Sequence, residues 1–282
     1  MTPREPINQK DDTMPKVRVN GVETAYLYHQ VRSHHQGDPP ILLIHGFPYS
    51  KSMWDEQVRE LGEEFQMITY DLRGHGESQA TPGPYTMEAL ADDVNALLET
   101  LRIQKVSLGG FSMGGYVALA FYRKYPERVD KLLLLDTRPQ ADSEQAKQGR
   151  ETLAQQVEKE GNKALAESLP ARMLTPATVA KRPEIVKSAR DMILAASPQG
   201  IAGAARGMAL RRDQTDLLSR IAVPTLVLVG ERDAVTPPGD SELMASRIPN
   251  AKLVKISGAA HLSNLEKPQE FSEAIHDFLH GE

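Results

Sequence analysis

No cysteine occurs in the 282 residues, which excludes disulfides, Cys-based zinc sites and a thiol nucleophile together. No apolar run approaches the roughly 18 residues of a membrane-spanning helix. The first 16 residues carry Pro, Asp and Lys but no apolar stretch of the kind a secretory signal needs. No Lys/Arg cluster stands out against a net charge of -5, so nucleic acid and anionic membrane surfaces are not expected partners. Neither a G-x-x-x-x-G-K-[ST] phosphate loop nor a G-x-G-x-x-G is present, and no internal repeat appears. These absences fit a cytoplasmic protein. With no exposed heptad or apolar stripe, a monomer and a homodimer both stay open.

What is present is ordinary globular composition, 40% hydrophobic and 25% charged, long enough for one large domain or a core with an insertion. Alternating segments at 16–19 and 23–28 flank Asn20-Gly21, a dipeptide suited to a type I′ hairpin turn. Apolar runs at 41–44, 66–70, 105–108, 131–135, 225–229 and 252–256 have the length and composition of strands buried on both faces. Helical periodicity covers 86–101 and 113–125 between them. Strands alternating with helices predict an α/β fold, a mostly parallel central sheet with helices on both faces. From about 138 to 220 the strand-like runs stop, and Ala, Gln, Glu, Lys and Arg dominate with breaks at Pro170, Pro176, Pro183 and Pro198. The expected division is a loose arm at 1–14, a core at 15–137 and 221–282, and a helical insertion at 138–220.

The strongest chemical signal is Gly110-Phe111-Ser112-Met113-Gly114, a G-x-S-x-G between a strand and a helix. Such a turn forces the serine into a strained conformation, and small neighbours are needed around it; Gly110, Gly114 and Gly115 supply them. A serine hydroxyl is a poor nucleophile at neutral pH, so a base must take its proton and a third group must orient the base. His261 follows the last predicted strand and Asp233 the one before it, both on loops at the edge where Ser112 is expected. The predicted set is therefore Ser112 as nucleophile, Asp233 as acid and His261 as base, in the chain order Ser, Asp, His. Asp136, which also ends a strand, and Glu231, two residues from Asp233, are rival acids.

A tetrahedral intermediate needs hydrogen-bond donors aimed at its oxygen. The backbone N–H groups of Met113, directly after the serine, and of Phe47, in His45-Gly46-Phe47-Pro48 after an early strand, are the candidates. The loop from Asp71 to Ser78, with Arg73, Gly74, His75 and Gly76, reads as structural, Asp71 and Arg73 bonding backbone or one another. None of the remaining histidines sits in an H-x-E or H-E-x-x-H spacing on a helix, so no metal is expected.

Taken together these motifs resemble the α/β-hydrolase superfamily from about residue 16 to 282, the insertion apart. The segment from Ala260 to Pro268 is similar to that of 3-oxoadipate enol-lactonases and related small carboxylesterases. The resemblance implies a cap formed by the insertion, a small-molecule ester or lactone and water as reactants, and no cofactor. It also implies a pocket wall to which Phe47, Tyr49, Trp54 and Phe111 would contribute, with Met113 beside them. Perhydrolysis, to which Pro48 points, and carbon–carbon bond hydrolysis are the alternatives on the same residues. A small-molecule receptor with little turnover is the alternative of another class.

Overall fold

The computed structural model describes residues 15–31 and 39–281; the expected arm at 1–14 lies outside them. The chain opens as the predicted hairpin, β1 (Lys16–Val19) and β2 (Val22–His29). Asn20 and Gly21 both take positive φ at its turn, 47° and 81°, the backbone that a type I′ turn requires. The remaining strands are β3 (Ile41–Ile44), β4 (Met67–Tyr70), β5 (Val106–Phe111), β6 (Val129–Leu135), β7 (Thr225–Gly230) and β8 (Ala251–Ile256). They form an eight-stranded sheet in the order β1-β2-β4-β3-β5-β6-β7-β8. β2 pairs antiparallel with both β1 and β4, and the pairs from β4 to β8 are parallel.

Period-two alternation along the strands separates two cores. Leu42, Ile44, Leu132, Leu134 and Val227 face one way, against α2 (Met87–Thr100), α3 (Met113–Lys124) and α10 (Pro238–Arg247), the last of the three numbered by its place in the chain. Ile41, Leu43, Leu133, Leu135, Leu226 and Leu228 face the other way, against α1 (Asp55–Leu61) and α12 (Pro268–His280). Thr86 caps α2 by accepting from the Ala89 N–H, so the expected helix begins where its sequence can satisfy an orphan donor.

Between β6 and β7 there is no strand. The interval holds α4 (Glu144–Glu160), α5 (Lys163–Ser168), α6 (Pro170–Met173), α7 (Pro176–Lys181), α8 (Pro183–Ala195) and α9 (Pro198–Ala209). The four prolines that read as breaks in the sequence are the first residues of α6 to α9, where a missing N–H costs nothing. The insertion's buried Ala154, Val157, Leu169, Ile185, Ala189, Ile193 and Ile201 join the same apolar cluster as Ile41, Leu43, Leu133 and Leu135. Burying a Leu or Ile contributes about 1.5–3 kcal/mol, whereas exposed ion pairs such as Arg206 with Glu151 and Glu158 contribute roughly 0–1. Apolar packing therefore sets how the insertion sits.

Candidate active site

Parallel pairing sends the carboxyl ends of β3, β5, β6, β7 and β8 to one edge. The register aligns Ile44 with Gly110, Phe111 with Leu135, Leu135 with Leu228, and Gly230 with Ile256. Every residue of interest follows one of these ends, as ligand sites in such sheets generally do.

Ser112 lies between β5 and α3 at φ 53°, ψ −113°. That strained conformation persists because its surroundings over-determine it: its N–H donates to the Leu135 carbonyl at 2.9 Å, and its own carbonyl accepts from Gly115 N–H at 2.9 Å and Thr137 Oγ1 at 2.8 Å. A Cβ on Gly110 would overlap the Gly114 carbonyl, one on Gly114 the Ile44 carbonyl, and one on Gly115 the Thr137 side chain. Close backbone packing thus explains all three glycines.

His261 stands on the loop after β8, its Nε2 3.0 Å from Ser112 Oγ and its Nδ1 2.8 Å from Asp233 Oδ2. Since Asp233 can only accept, Nδ1 carries the proton and Nε2 is left to accept from the serine. Phe111 packs against the imidazole at 5.3 Å between centroids. Asp233 also accepts from Val235 N–H at 2.7 Å, Thr236 N–H at 3.0 Å and Thr236 Oγ1 at 2.6 Å. Burial on its own would raise the Asp233 pKa, but the His261 ring and these hydrogen bonds hold it below the ordinary value.

The rival acids have other partners. Glu231 is exposed and accepts from Gly258 N–H and Ser257 Oγ at 3.0 and 3.3 Å. Asp136, also at positive φ (43°), is fully buried and accepts from Gly230 N–H at 2.8 Å and Ser263 Oγ at 2.5 Å. Its carboxylate lies within 4.8 Å of the ligand atoms of Asp233 and His261. Burial, and then the charge of Asp233, push its pKa well above the usual carboxylate range. Of the two, Asp136 is the one whose surroundings favour the proton; α4 is capped by Ser143.

The oxyanion candidates lie on two backbone segments. Met113 is the first residue of α3, where no carbonyl within the helix can reach the N–H. Phe47 follows β3 in a turn closed by Tyr49 N–H to the Gly46 carbonyl at 2.9 Å. His45 anchors that turn: its Nε2 accepts from Leu72 N–H at 2.9 Å, which leaves Nδ1 to donate to the Gly46 carbonyl, also at 2.9 Å. Gly46 must be glycine, because a Cβ would come within 2.8 Å of the Phe111 ring. His75 packs on His45 and Phe47, its pKa pushed down to about 3 by burial first and by His45 second. Asp71 accepts from the backbone of Lys51 and Glu77, but Arg73 pairs with Asp93 at 2.6 Å rather than with Asp71.

The residues expected at the pocket wall differ in exposure. Phe47 is partly exposed, whereas Tyr49, Trp54 and Phe111 have 1%, 0% and 0% of their surface accessible. Trp54 lies between Phe111 and Phe271 at 6.1 and 6.3 Å, and Met113 is likewise fully buried. Sequence reasoning also passed over Glu266, which is buried and joins the His261 loop to the insertion. It accepts from Ala260 N–H at 2.6 Å on one oxygen and from Thr175 N–H and Oγ1 at 2.8 and 2.7 Å on the other. Leu262 N–H donates to the Met173 carbonyl at 3.1 Å beside it. A buried carboxylate next to a candidate base was the available signal.

Comparison with known proteins agrees with this architecture. A family model described as the alpha/beta hydrolase fold matches residues 39–268. 3-Oxoadipate enol-lactonase 2 of Acinetobacter baylyi is 33% identical over 241 residues, 85% of this chain and 88% of that protein. A thermophilic esterase from Thermogutta terrifontis, solved with malate bound, superposes with a TM-score of 0.89 at 43% identity, covering 95% of this chain and 98% of the other. The enol-lactonase from Burkholderia xenovorans superposes at 0.87 with 32% identity, covering 94% and 99%. The chain belongs to the α/β-hydrolase family.

Proposed function

We propose that this protein is a serine hydrolase of small carboxylic esters or lactones that works through an acyl-enzyme on Ser112. Ser112 Oγ attacks the carbonyl carbon as His261 Nε2 takes its proton, and Asp233 holds Nδ1–H and stabilises the imidazolium that forms. The backbone N–H groups of Phe47 and Met113 receive the oxyanion; losing one such donor costs on the order of a hundredfold in rate. The intermediate collapses, His261 returns the proton to the leaving alkoxide, and the alcohol departs. Water then repeats the steps on the acyl-enzyme and releases the acid. For a lactone the alcohol stays attached to the acyl group and leaves with it.

The observation that carries this reading is the unbroken hydrogen-bonded series from Ser112 Oγ to His261 to Asp233, 3.0 and 2.8 Å, built on a strained serine. The named esterase and enol-lactonase relatives support carboxylic esters and lactones as the substrate class. We read α4 to α9 as a cap over the site, since Met173 and Thr175 are hydrogen-bonded to residues flanking His261 and its loop.

The test is a panel of p-nitrophenyl esters of increasing acyl length, aliphatic lactones, and peracid formation from acetate and hydrogen peroxide, with Ser112→Ala as the blank. Hydrolysis of short esters or lactones that vanishes in Ser112→Ala is expected. Peracid formation as the dominant rate would transfer the reading to a perhydrolase, and hydrolysis that survives the substitution would overturn the mechanism.

A further inference from the structure

Apart from the residues around Ser112, the described residues gather one further group of metal-ligating side chains. His276 and His280 are separated by four positions on α12 and so share a face. Glu64 stands opposite them, in the turn that closes α1, with one carboxylate oxygen beside each ring. Oε2 is 3.2 Å from His276 Nε2, and Oε1 is 2.8 Å from His280 Nε2. The ligand atoms of all three lie within 4.8 Å of one another.

The group is held in place. The imidazole centroids are 4.5 Å apart, and Phe65 backs both rings at 5.9 and 5.5 Å. Both Glu64 N–H and Phe65 N–H donate to the Leu61 carbonyl, at 3.1 and 2.9 Å. On the far side of its ring, His276 Nδ1 faces Asp277 Oδ1 at 3.4 Å. A carboxylate in that position is what commonly orients a metal-bound histidine. The three side chains are 43%, 41% and 52% exposed, open enough for an ion and a water to enter.

We propose that His276, His280 and Glu64 bind a borderline divalent transition metal, Zn2+ being the simplest case, and that the metal ties the last turn of α12 to the turn after α1. Two imidazoles and a carboxylate are the donor set of known zinc sites, with a fourth position left for water. Zinc bonds of about 2.0–2.2 Å put tetrahedral ligand atoms roughly 3.3–3.5 Å apart. The present separations of 2.8 and 3.2 Å reach that spacing if the half-exposed Glu64 side chain withdraws by about half an ångström. Two nitrogen donors out of three disfavour Mg2+ and Ca2+, which take oxygen ligands. Coordination replaces the two Nε2 protons, so it competes with acid. The sequence signature is H-x-x-x-H on a helix, a spacing that a search for H-x-E and H-E-x-x-H passes over.

The experiment uses the full chain without a polyhistidine tag, stripped with EDTA and titrated with ZnCl2 by calorimetry and by thermal melting. One zinc per chain with a micromolar Kd is expected, with a Tm rise of about 5 °C at a hundredfold excess over Kd. His276→Asn and His280→Asn should each weaken binding at least about tenfold while leaving the zinc-free Tm and circular dichroism unchanged. Glu64→Gln should weaken it less. Wild type without saturable binding, or a His276→Asn/His280→Asn double variant that binds zinc as tightly as wild type, would overturn the proposal; the second result would send the ion elsewhere, as to His261 and Asp233.

Discussion

Asp233 and Asp136 follow neighbouring strands and converge behind the same imidazole, yet their surroundings shift their pKa values in opposite directions. Asp233 accepts from His261, Val235 and Thr236, which hold its pKa down; Asp136 is buried beside it, which pushes its pKa up and favours the neutral acid. Two carboxylates so close cannot both ionise cheaply. Asp233→Asn should therefore lower kcat by about a thousandfold or more through the wrong imidazole tautomer, and Asp136→Asn should stay within about tenfold of wild type, because an amide replaces a neutral acid. The same difference has a pH signature. A carboxyl whose folded pKa is raised holds its proton while the unfolded chain ionises near its ordinary value of about 4, so its cost to stability is absent below that pH and grows above it. Asp136→Asn should raise Tm at pH 7, by roughly 2 °C or more, and the gain should shrink toward pH 4; melts across that range check it, and an unchanged or lowered Tm at pH 7 would mean Asp136 is ionised. The rivalry between these acids was visible in the sequence. Its resolution was not, since it depends on which carboxylate reaches Nδ1 and which faces only Gly230 and Ser263.

At the scale of elements, α9 shows what pattern reading misses. Gly200, Gly203 and Gly207 fall on one face of this helix and press against the loop of residues 74–85: a Cβ on Gly207 would overlap the Tyr85 carbonyl, and one on Gly203 would come within 2.8 Å of the Tyr85 ring. Ser197 N–H and Tyr85 N–H cross the same contact, donating to the carbonyls of Gly74 and Gly203 at 3.0 and 2.9 Å. The partner loop is more than a hundred residues away in the chain, so no local window reveals why those positions are small. Gly207→Ala should lower Tm by about 3–8 °C, as overpacking in a close contact does. Gly149, on the exposed face of α4, is the contrast, since a Cβ added there would meet nothing within 4 Å. Gly149→Ala should raise Tm by roughly 1–3 °C through helix propensity. Equal effects of the two substitutions in a melting experiment would show that the α9 contact is not tight. The helices and strands with clear periodicity, by comparison, were legible almost to the residue, as α2 beginning after Thr86 illustrates.

Over the whole molecule, parallel strand pairing is what converts five separated segments into one site. His45 to Phe47, Ser112, Asp136, Asp233 and His261 each follow a strand, and the register brings those strand ends to a common edge. Strand positions and loop order could be read from apolar runs and turn residues, which is why Ser112, Asp233 and His261 were legible together. The pocket wall was not. Aromatic side chains near the motifs read as a pocket wall, and Tyr49, Trp54 and Phe111 lie buried among the sheet, α12 and the insertion. Whether a ring faces a ligand or a core depends on what folds over it, and that information lies in α4 to α9. The most direct measurement is reaction of the intact protein with a fluorophosphonate, followed by intact mass and peptide mapping. A single adduct per chain on Ser112, formed much more slowly in His261→Ala, is the expected result. An adduct on another residue, or an unlabelled protein that still hydrolyses esters, would contradict Ser112 as the nucleophile.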